Sequence, residues 1–388
     1  MTSTTAIHWD PFDIELDTDP HPVWKRMRDE APVYRNDEYD FYALSRYHDV
    51  EAAHRDPSTF SSARGTVLEL MGNDLSGTGQ MIFMDPPQHT ELRHLVSRAF
   101  TPRRTTSLEA RVRGFCAEML DAQRGRDRFD YLQDFGAKLP SMVISSLLGV
   151  PDEDQETFRH QVDGIFHIEP GVGMVNDASA AAAAQLWLYL AELIDQRTVE
   201  PRDDLLTALA QAGLTRRQSA DFATLLLSAG TETVARLLGW AAVALGENPD
   251  QRAVLVDDPS LIPNAIEELL RYEAPSPVQG RWTTRDVELH DTVIPKDSKV
   301  LLLTGSAGRD ERAYTDPDRF DVRRDLHNHV SFGYGIHYCV GAALARLEGR
   351  IALEETLKRY PTWDVDEEHS VRLHTSTVRG YAQVAFVP

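Results

Sequence analysis

Residues 331–341 read SFGYGIHYCVG, an unusual setting for a cysteine. Cys339 is one of only two cysteines in 388 residues, and it sits among three glycines, aromatic side chains and His337. A cysteine that merely fills core space needs none of these neighbours. The next stretch, VGAALARLEGRIALEETLKRY, has a helical pattern, so Cys339 is expected near a helix N-terminus, where a thiolate is favoured. Gly333 and Gly335 open backbone conformations closed to other residues, and Gly341 lets a flat group come close.

Four roles compete for this cysteine. Packing leaves the glycines unexplained. A zinc site wants more ligands than His337 and Cys339. A nucleophile needs a base, and His337 is two residues away on a turn. A single thiolate on haem iron needs one cysteine and no more, and backbone N–H groups around the sulfur would tune such a centre.

Residues 215–249, TRRQSADFATLLLSAGTETVARLLGWAAVALGENP, form the longest helical candidate. Helical from about Gln218, it would run roughly 40 Å. Its flanks are apolar around much of the circumference, which predicts burial. The centre, Ala229-Gly230-Thr231-Glu232-Thr233, breaks that pattern. Glycine costs about 1 kcal/mol in a helix relative to alanine. A mid-helix Thr bonds back to the preceding turn, and a buried carboxylate is expensive unless paired. One reading is a tolerated polar turn. The other is a groove beside a ligand, with an acid–alcohol pair placed for proton transfer.

Two more pairs stand out. In AIEELLRYEAPSP, Glu268 and Arg271 share a helix face, as a surface ion pair or as a buried structural one. In MDPPQHTELRHLVSRAF, His89 and Arg93 lie one turn apart and could jointly bind an anion.

Composition narrows the class. A 42% hydrophobic chain of this length supports a large core. Cys116 and Cys339 cannot make a disulfide framework, which predicts a reducing compartment, by default the cytoplasm. The N-terminus has neither a signal-peptide pattern nor an apolar run long enough for a membrane anchor. A net charge of −21 argues against nucleic acid. The segment 93–113 is nevertheless strongly basic, either a solvated face or a docking patch for an acidic partner. Helical patterns dominate. Strand patterns are confined to a hairpin around residues 36–38, the stretch 281–307 and the C-terminus. With no composition break, residues 1–388 read as a single, mainly α domain with small β-sheets.

Together these stretches resemble the cytochrome P450 superfamily. FGYGIHYCVG fits its haem-binding signature, Phe-Gly-x-Gly-x-His-x-Cys-x-Gly, at every fixed position. AGTETV looks like its oxygen-activation motif, EELLR contains its Glu-x-x-Arg, and HTELR resembles its His-x-x-x-Arg. All four occur in the family's order, and the likeness covers essentially the whole chain. SAGRDERAY departs locally from the more usual Ser-Ala-Asn-Arg-Asp-Pro run, and Glu232 stands where many members have Asp.

The resemblance implies the cytochrome P450 fold, with the long central helix over haem b (iron protoporphyrin IX). Cys339 would be the axial thiolate, shielded by Phe332, with Gly341 and Ala229 close to the haem. His89, Arg93, Arg281 and His337 would hold the propionates. Glu232 and Thr233 would deliver protons to bound dioxygen. Glu268 and Arg271 would be structural, joined by an arginine of PDRFDVRR, with Arg319 the first choice. The positions that line the family's pocket are Val67, Leu68, Met71, Ile82, Phe166, Leu226, Ala229, Val278, Gln279, Trp282 and Ser376, each as readily explained by core packing. Mostly apolar, they suggest a hydrophobic small-molecule substrate.

The missing anchor resembles the soluble bacterial, actinobacterial-like class. That implies a monomer fed electrons by a separate ferredoxin and ferredoxin reductase, with a role in secondary metabolism. Two alternatives remain at this level. One is a peroxide-driven haem-thiolate enzyme, which would not need Glu232 and Thr233. The other is a non-catalytic haem- or ligand-binding protein.

Overall fold

A computed structural model describes residues 7–72, 75, 78–154, 158, 161–162, 164–165, 176–326 and 328–388. Its residues group into two compact units. The first comprises residues 1–76, 264–339 and 372–380, and the second residues 77–263, 340–371 and 381–388.

The first unit is built on a five-stranded sheet. The strands lie in the order Val33–Asn36, Phe41–Leu44, Lys299–Leu303, Val278–Thr283 and Phe60–Ser61. The expected hairpin forms, with Val33 opposite Leu44 and Asn36 opposite Phe41. Phe41–Leu44 then pairs in parallel with Lys299–Leu303, Phe41 beside Lys299. Successive side chains of a strand point to opposite faces, and Lys299–Leu303 uses both. Leu301 and Leu303 join a cluster with Trp9, Trp24 and Phe41. Val300 and Leu302 join another with Leu44, Val50 and Val330. The helix Tyr47–Arg55 lies on the second face, its Tyr47 and Val50 in that cluster.

A buried ionic knot ties this unit's termini together. The Glu273 carboxylate accepts from His21 Nε2 at 3.1 Å, from Arg309 Nη2 at 3.1 Å and from Arg379 Nη1. Against the cost of its burial, the Arg379 and Arg309 guanidinium groups and the His21 N–H hold Glu273 far below the usual carboxylate range.

Helices make up most of the second unit. At its centre is the helix Arg216–Glu247, 32 residues and about 48 Å long. Thr215 caps its start reciprocally with Gln218: the Gln218 N–H donates to Thr215 Oγ1 at 3.2 Å and the Thr215 N–H to Gln218 Oε1 at 2.9 Å. At its end Pro249 opens a new helix, Pro249–Asp257. It packs against Lys138–Leu148, Asp177–Val199 and Ala342–Arg359. Glycines allow two of its close approaches. A side-chain carbon at Gly230 would stand 2.6 Å from Ile144 Cδ1, and one at Gly239 would stand 3.1 Å from Leu132 Cδ1. Gly230 therefore has a packing reason, independent of any ligand. No helix among the described residues is long and apolar enough to cross a membrane.

Candidate functional site

The cysteine loop closes on itself within the first unit. The Cys339 N–H donates to the Phe332 carbonyl at 2.9 Å, and the Gly333 N–H to the Val330 carbonyl at 2.8 Å. Gly333 and Gly335 take φ of +68° and +66°, left-handed values that glycine adopts without penalty. A side-chain carbon at Gly335 would come within 2.7 Å of the His54 carbonyl, so the loop is moulded on the helix Tyr47–Arg55. From the same helix the Arg55 guanidinium lies over the Tyr334 ring at 4.1 Å. The Phe332 ring is flanked by His329 and Tyr338 at 5.7 and 6.2 Å. Cys339 itself is exposed. The other cysteine, Cys116, is buried, and burial holds it as a thiol. The two cysteines therefore do different work.

Behind the loop lies a cluster that the sequence only half disclosed. Arg281 is buried in the strand Val278–Thr283, its Nη1 donating to the Gly280 carbonyl at 2.7 Å. Its Nη2 reaches His54 Nδ1 at 3.4 Å. Burial pushes the His54 pKa well below its ordinary value, and the charges of Arg281 and His337 lower it further. Sequence reasoning missed His54, because nothing in YHDVEAAHR separates it from an ordinary helix-end histidine.

In the second unit His89 is buried on the helix Gln88–Ala99, with Arg93 half-buried one turn on. Burial and then the Arg93 charge lower the His89 pKa, and Asp85 opposes them. The expected pairing on one face holds in the geometry.

The polar centre of the long helix is self-satisfied. The Thr231 hydroxyl donates to the Leu227 carbonyl and the Thr233 hydroxyl to the Ala229 carbonyl, each at 2.8 Å. Glu232 is paired with Arg236, one turn later, which the sequence reading overlooked. Arg236 Nε and Nη2 both approach Glu232 Oε1, at 2.9 and 2.7 Å.

Glu268 and Arg271 prove fully buried and doubly bonded, with Nε to Oε2 and Nη2 to Oε1 both at 2.7 Å. The arginine that joins them is Arg324, not Arg319: Arg324 Nε donates to Glu268 Oε1 at 3.1 Å. The Arg319 side chain is exposed, and the residue contributes its carbonyl, which accepts from Arg324 Nη2 at 2.7 Å. Arg271 also donates to the Gly308 carbonyl at 2.7 Å, and a side chain at Gly308 would collide with the Arg271 carbonyl. SAGRDERAY therefore has a local reason for its glycine.

Several expected pocket residues are engaged in packing. Leu68, Met71, Val278 and Trp282 sit in the cluster around Trp9 and Trp24. The Trp282 ring lies under the Arg64 guanidinium at 3.8 Å, and its N–H donates to the Arg64 carbonyl at 3.0 Å. Ser376 Oγ donates to Glu69 Oε2 at 2.5 Å. Val67 and Gln279 are half-buried, Leu226 is buried, and Ile82 and Ala229 are exposed. Phe166 lies outside the described residues.

This donor set fits haem. Among the described residues no three His, Cys, Asp or Glu side chains gather as a protein-held metal ion would require. What stands exposed is one thiol on a preformed glycine loop, the ligand that a haem-thiolate centre needs.

Comparison with known proteins agrees. The family model for cytochrome P450 matches residues 255–381. Cytochrome P450 130 of Mycobacterium tuberculosis is 40% identical, over 100% of this chain and 99% of that protein. The vitamin D(3) 25-hydroxylase of Pseudonocardia autotrophica is 37% identical, over 91% of this chain and 89% of its own. Among solved structures, cytochrome P450 CYP109Q5 from Chondromyces apiculatus superposes with a TM-score of 0.89 at 33% identity, covering 98% of this chain and 97% of that one. The chain belongs to the cytochrome P450 family. It is a haem-thiolate monooxygenase, and the relatives named here are bacterial.

Proposed function

We propose that both units act as one monomeric catalytic domain that hydroxylates a hydrophobic small molecule in the cytoplasm, with electrons from a separate ferredoxin and ferredoxin reductase. The observation that carries this reading is the exposed Cys339 thiol on its left-handed glycine loop. Cys339 would be the axial ligand, with Phe332 shielding it and Gly341 leaving room beside it. His89, Arg93, Arg281 and His337 would hold the propionates.

When bound, haem supplies dioxygen activation and oxygen-atom insertion, and the thiolate favours O–O cleavage. The chain's own residues manage protons and position. Thr233 spends its hydroxyl proton on Ala229, so Oγ1 presents lone pairs and holds an incoming donor in place. Glu232 keeps Oε1 against Arg236, which leaves Oε2 to pass a proton. Leu226, Ala229, Val67 and Ile82 are the apolar positions outside the Trp9–Trp24 cluster that would face substrate. The vitamin D(3) 25-hydroxylase among the relatives supports a hydrophobic substrate.

The electron donor would dock on the basic segment. Within it Arg113 pairs with Glu109, Glu354 and Glu355, and outside it Arg350 pairs with Glu109 and Glu354. Arg103, Arg104 and Arg346 are the contact candidates, Arg104 lying 3.9 Å from the exposed Asp203 carboxylate.

The test is spectroscopic. The reduced, carbon-monoxide-bound protein should carry a thiolate signature that Cys339→Ala abolishes. A wild-type protein without that signature would remove the reading. A spin-state screen against a library of apolar compounds then narrows the substrate.

A further inference from the structure

The contact between Arg281 and His54 sets the tautomer of the histidine. A guanidinium can only donate, so at the 3.4 Å approach of Arg281 Nη2, His54 Nδ1 is the acceptor. The ring is neutral, as its burial beside the Arg281 guanidinium requires, so the proton sits on Nε2. His54 is 4% exposed, and its Nε2 is buried without a hydrogen-bond partner among the described residues. A buried donor in a native fold is expected to have an acceptor. The titratable groups that face this ring are Arg281, which cannot accept, and His337, which is not a hydrogen-bond partner of Nε2. The loop glycines pack beside it, Gly333 against His54 Cε1 and Gly335 against the His54 carbonyl.

We propose that His54 is a further cofactor-binding residue: Nε2–H donates to a propionate carboxylate of the haem, while Nδ1 orients the Arg281 guanidinium toward the same group. The inference rests on the haem reading of Arg281 and His337. It adds a donor outside the cysteine signature, on the helix Tyr47–Arg55, that braces the loop from behind.

The test is haem loss from the purified holoprotein to excess apomyoglobin. In general chemistry, Gln places an amide N–H near the Nε2 position of a histidine, Asn places an acceptor near Nδ1 with no such donor, and Leu offers neither. His54→Leu and His54→Asn should lose haem about tenfold faster, the scale of one charge-assisted hydrogen bond, and His54→Gln should stay within about twofold of wild type. Wild-type rates in the Leu or Asn variant overturn the proposal, as does a Gln variant as fast as Leu. Arg281→Leu is the reference. If it speeds haem loss and the His54 variants do not, the inference fails and the haem reading stands. If it also has no effect, the assignment of Arg281 fails. A measurement that needs no variant is nitrogen-15 NMR of histidine in the ferrous carbon-monoxide holoprotein. A slowly exchanging, hydrogen-bonded His54 Nε2–H supports the proposal, and a proton in fast exchange with water overturns it.

Discussion

Arg236 grips a single oxygen of Glu232, with Nε at 2.9 Å and Nη2 at 2.7 Å on Oε1. The acid of the central helix is therefore fixed by a neighbour on its own helix. Glu232→Gln should lower product formed per electron consumed by about tenfold or more, the scale of a lost general acid. Arg236→Leu leaves the carboxylate in place but unheld, and should fall between that variant and wild type. Coupling measured as product against reductant consumed tests both. A wild-type ratio in Glu232→Gln would remove this acid from proton transfer.

The Glu268–Arg271 pair is fully buried. Glu268→Gln or Arg271→Leu leaves an uncompensated buried charge, and should cost about 3–5 kcal/mol. Arg324→Ala should also destabilise, whereas Arg319→Ala should be close to neutral because the Arg319 side chain is exposed. Urea unfolding of the four variants reads this out. Equal losses for Arg319 and Arg324 would contradict the geometry.

Glu348 sits buried in the helix Ala342–Arg359 with Oε2 unpartnered among the described residues, and burial pushes its carboxyl from 4.5 to about 8. The folded state thus keeps a proton that the unfolded chain releases. Its contribution is whole below pH 4.5, declines as pH rises toward 8 and then levels off. Each pH unit of that gap is worth about 1.4 kcal/mol. Glu348→Gln should therefore be more stable than wild type at pH 8, by on the order of 4 kcal/mol, with the difference vanishing near pH 4.5. Unfolding free energies of both proteins across this range decide it. A constant difference would mean that Glu348 does not titrate there.

Charge reversal of Arg103, Arg104 and Arg346 to Glu should slow first-electron transfer from a ferredoxin at least about tenfold at low salt, with the gap narrowing as salt rises. Stopped-flow reduction under carbon monoxide measures the rate. An unchanged rate would place docking elsewhere.

Much of this was legible before any coordinates. The bounds of the long helix fall within a few residues of their expected places, because Thr215, Pro249 and the apolar periodicity act locally. The strand patterns near residues 36–38 and 281–307 also form. Pairings made over long sequence distances were not legible. Arg319, expected to be the joining residue, is not separated by sequence from Arg323 or Arg324 in PDRFDVRR, and only the folded turn brings Arg324 to Glu268. His54 has no motif of its own, and its environment comes from Arg281, far along the chain. Trp282, Val278, Leu68 and Met71 illustrate the converse limit: an apolar residue at a pocket position reads the same whether it meets a ligand or a core.

The first unit is stitched from three separate segments, residues 1–76, 264–339 and 372–380. Arg28 bonds Ser306 across 278 residues, and the hairpin strand Phe41–Leu44 needs Lys299–Leu303 beside it. During synthesis the N-terminal segment thus leaves the ribosome long before its partners are made, with an apolar hairpin edge waiting. The central helix and the two neighbours made before it, Lys138–Leu148 and Asp177–Val199, can consolidate first. Cys339 emerges only after the central helix and the strand Lys299–Leu303, so cofactor loading waits on both. Slower elongation or added chaperone should therefore raise the yield of loaded protein more than extra haem supplied early.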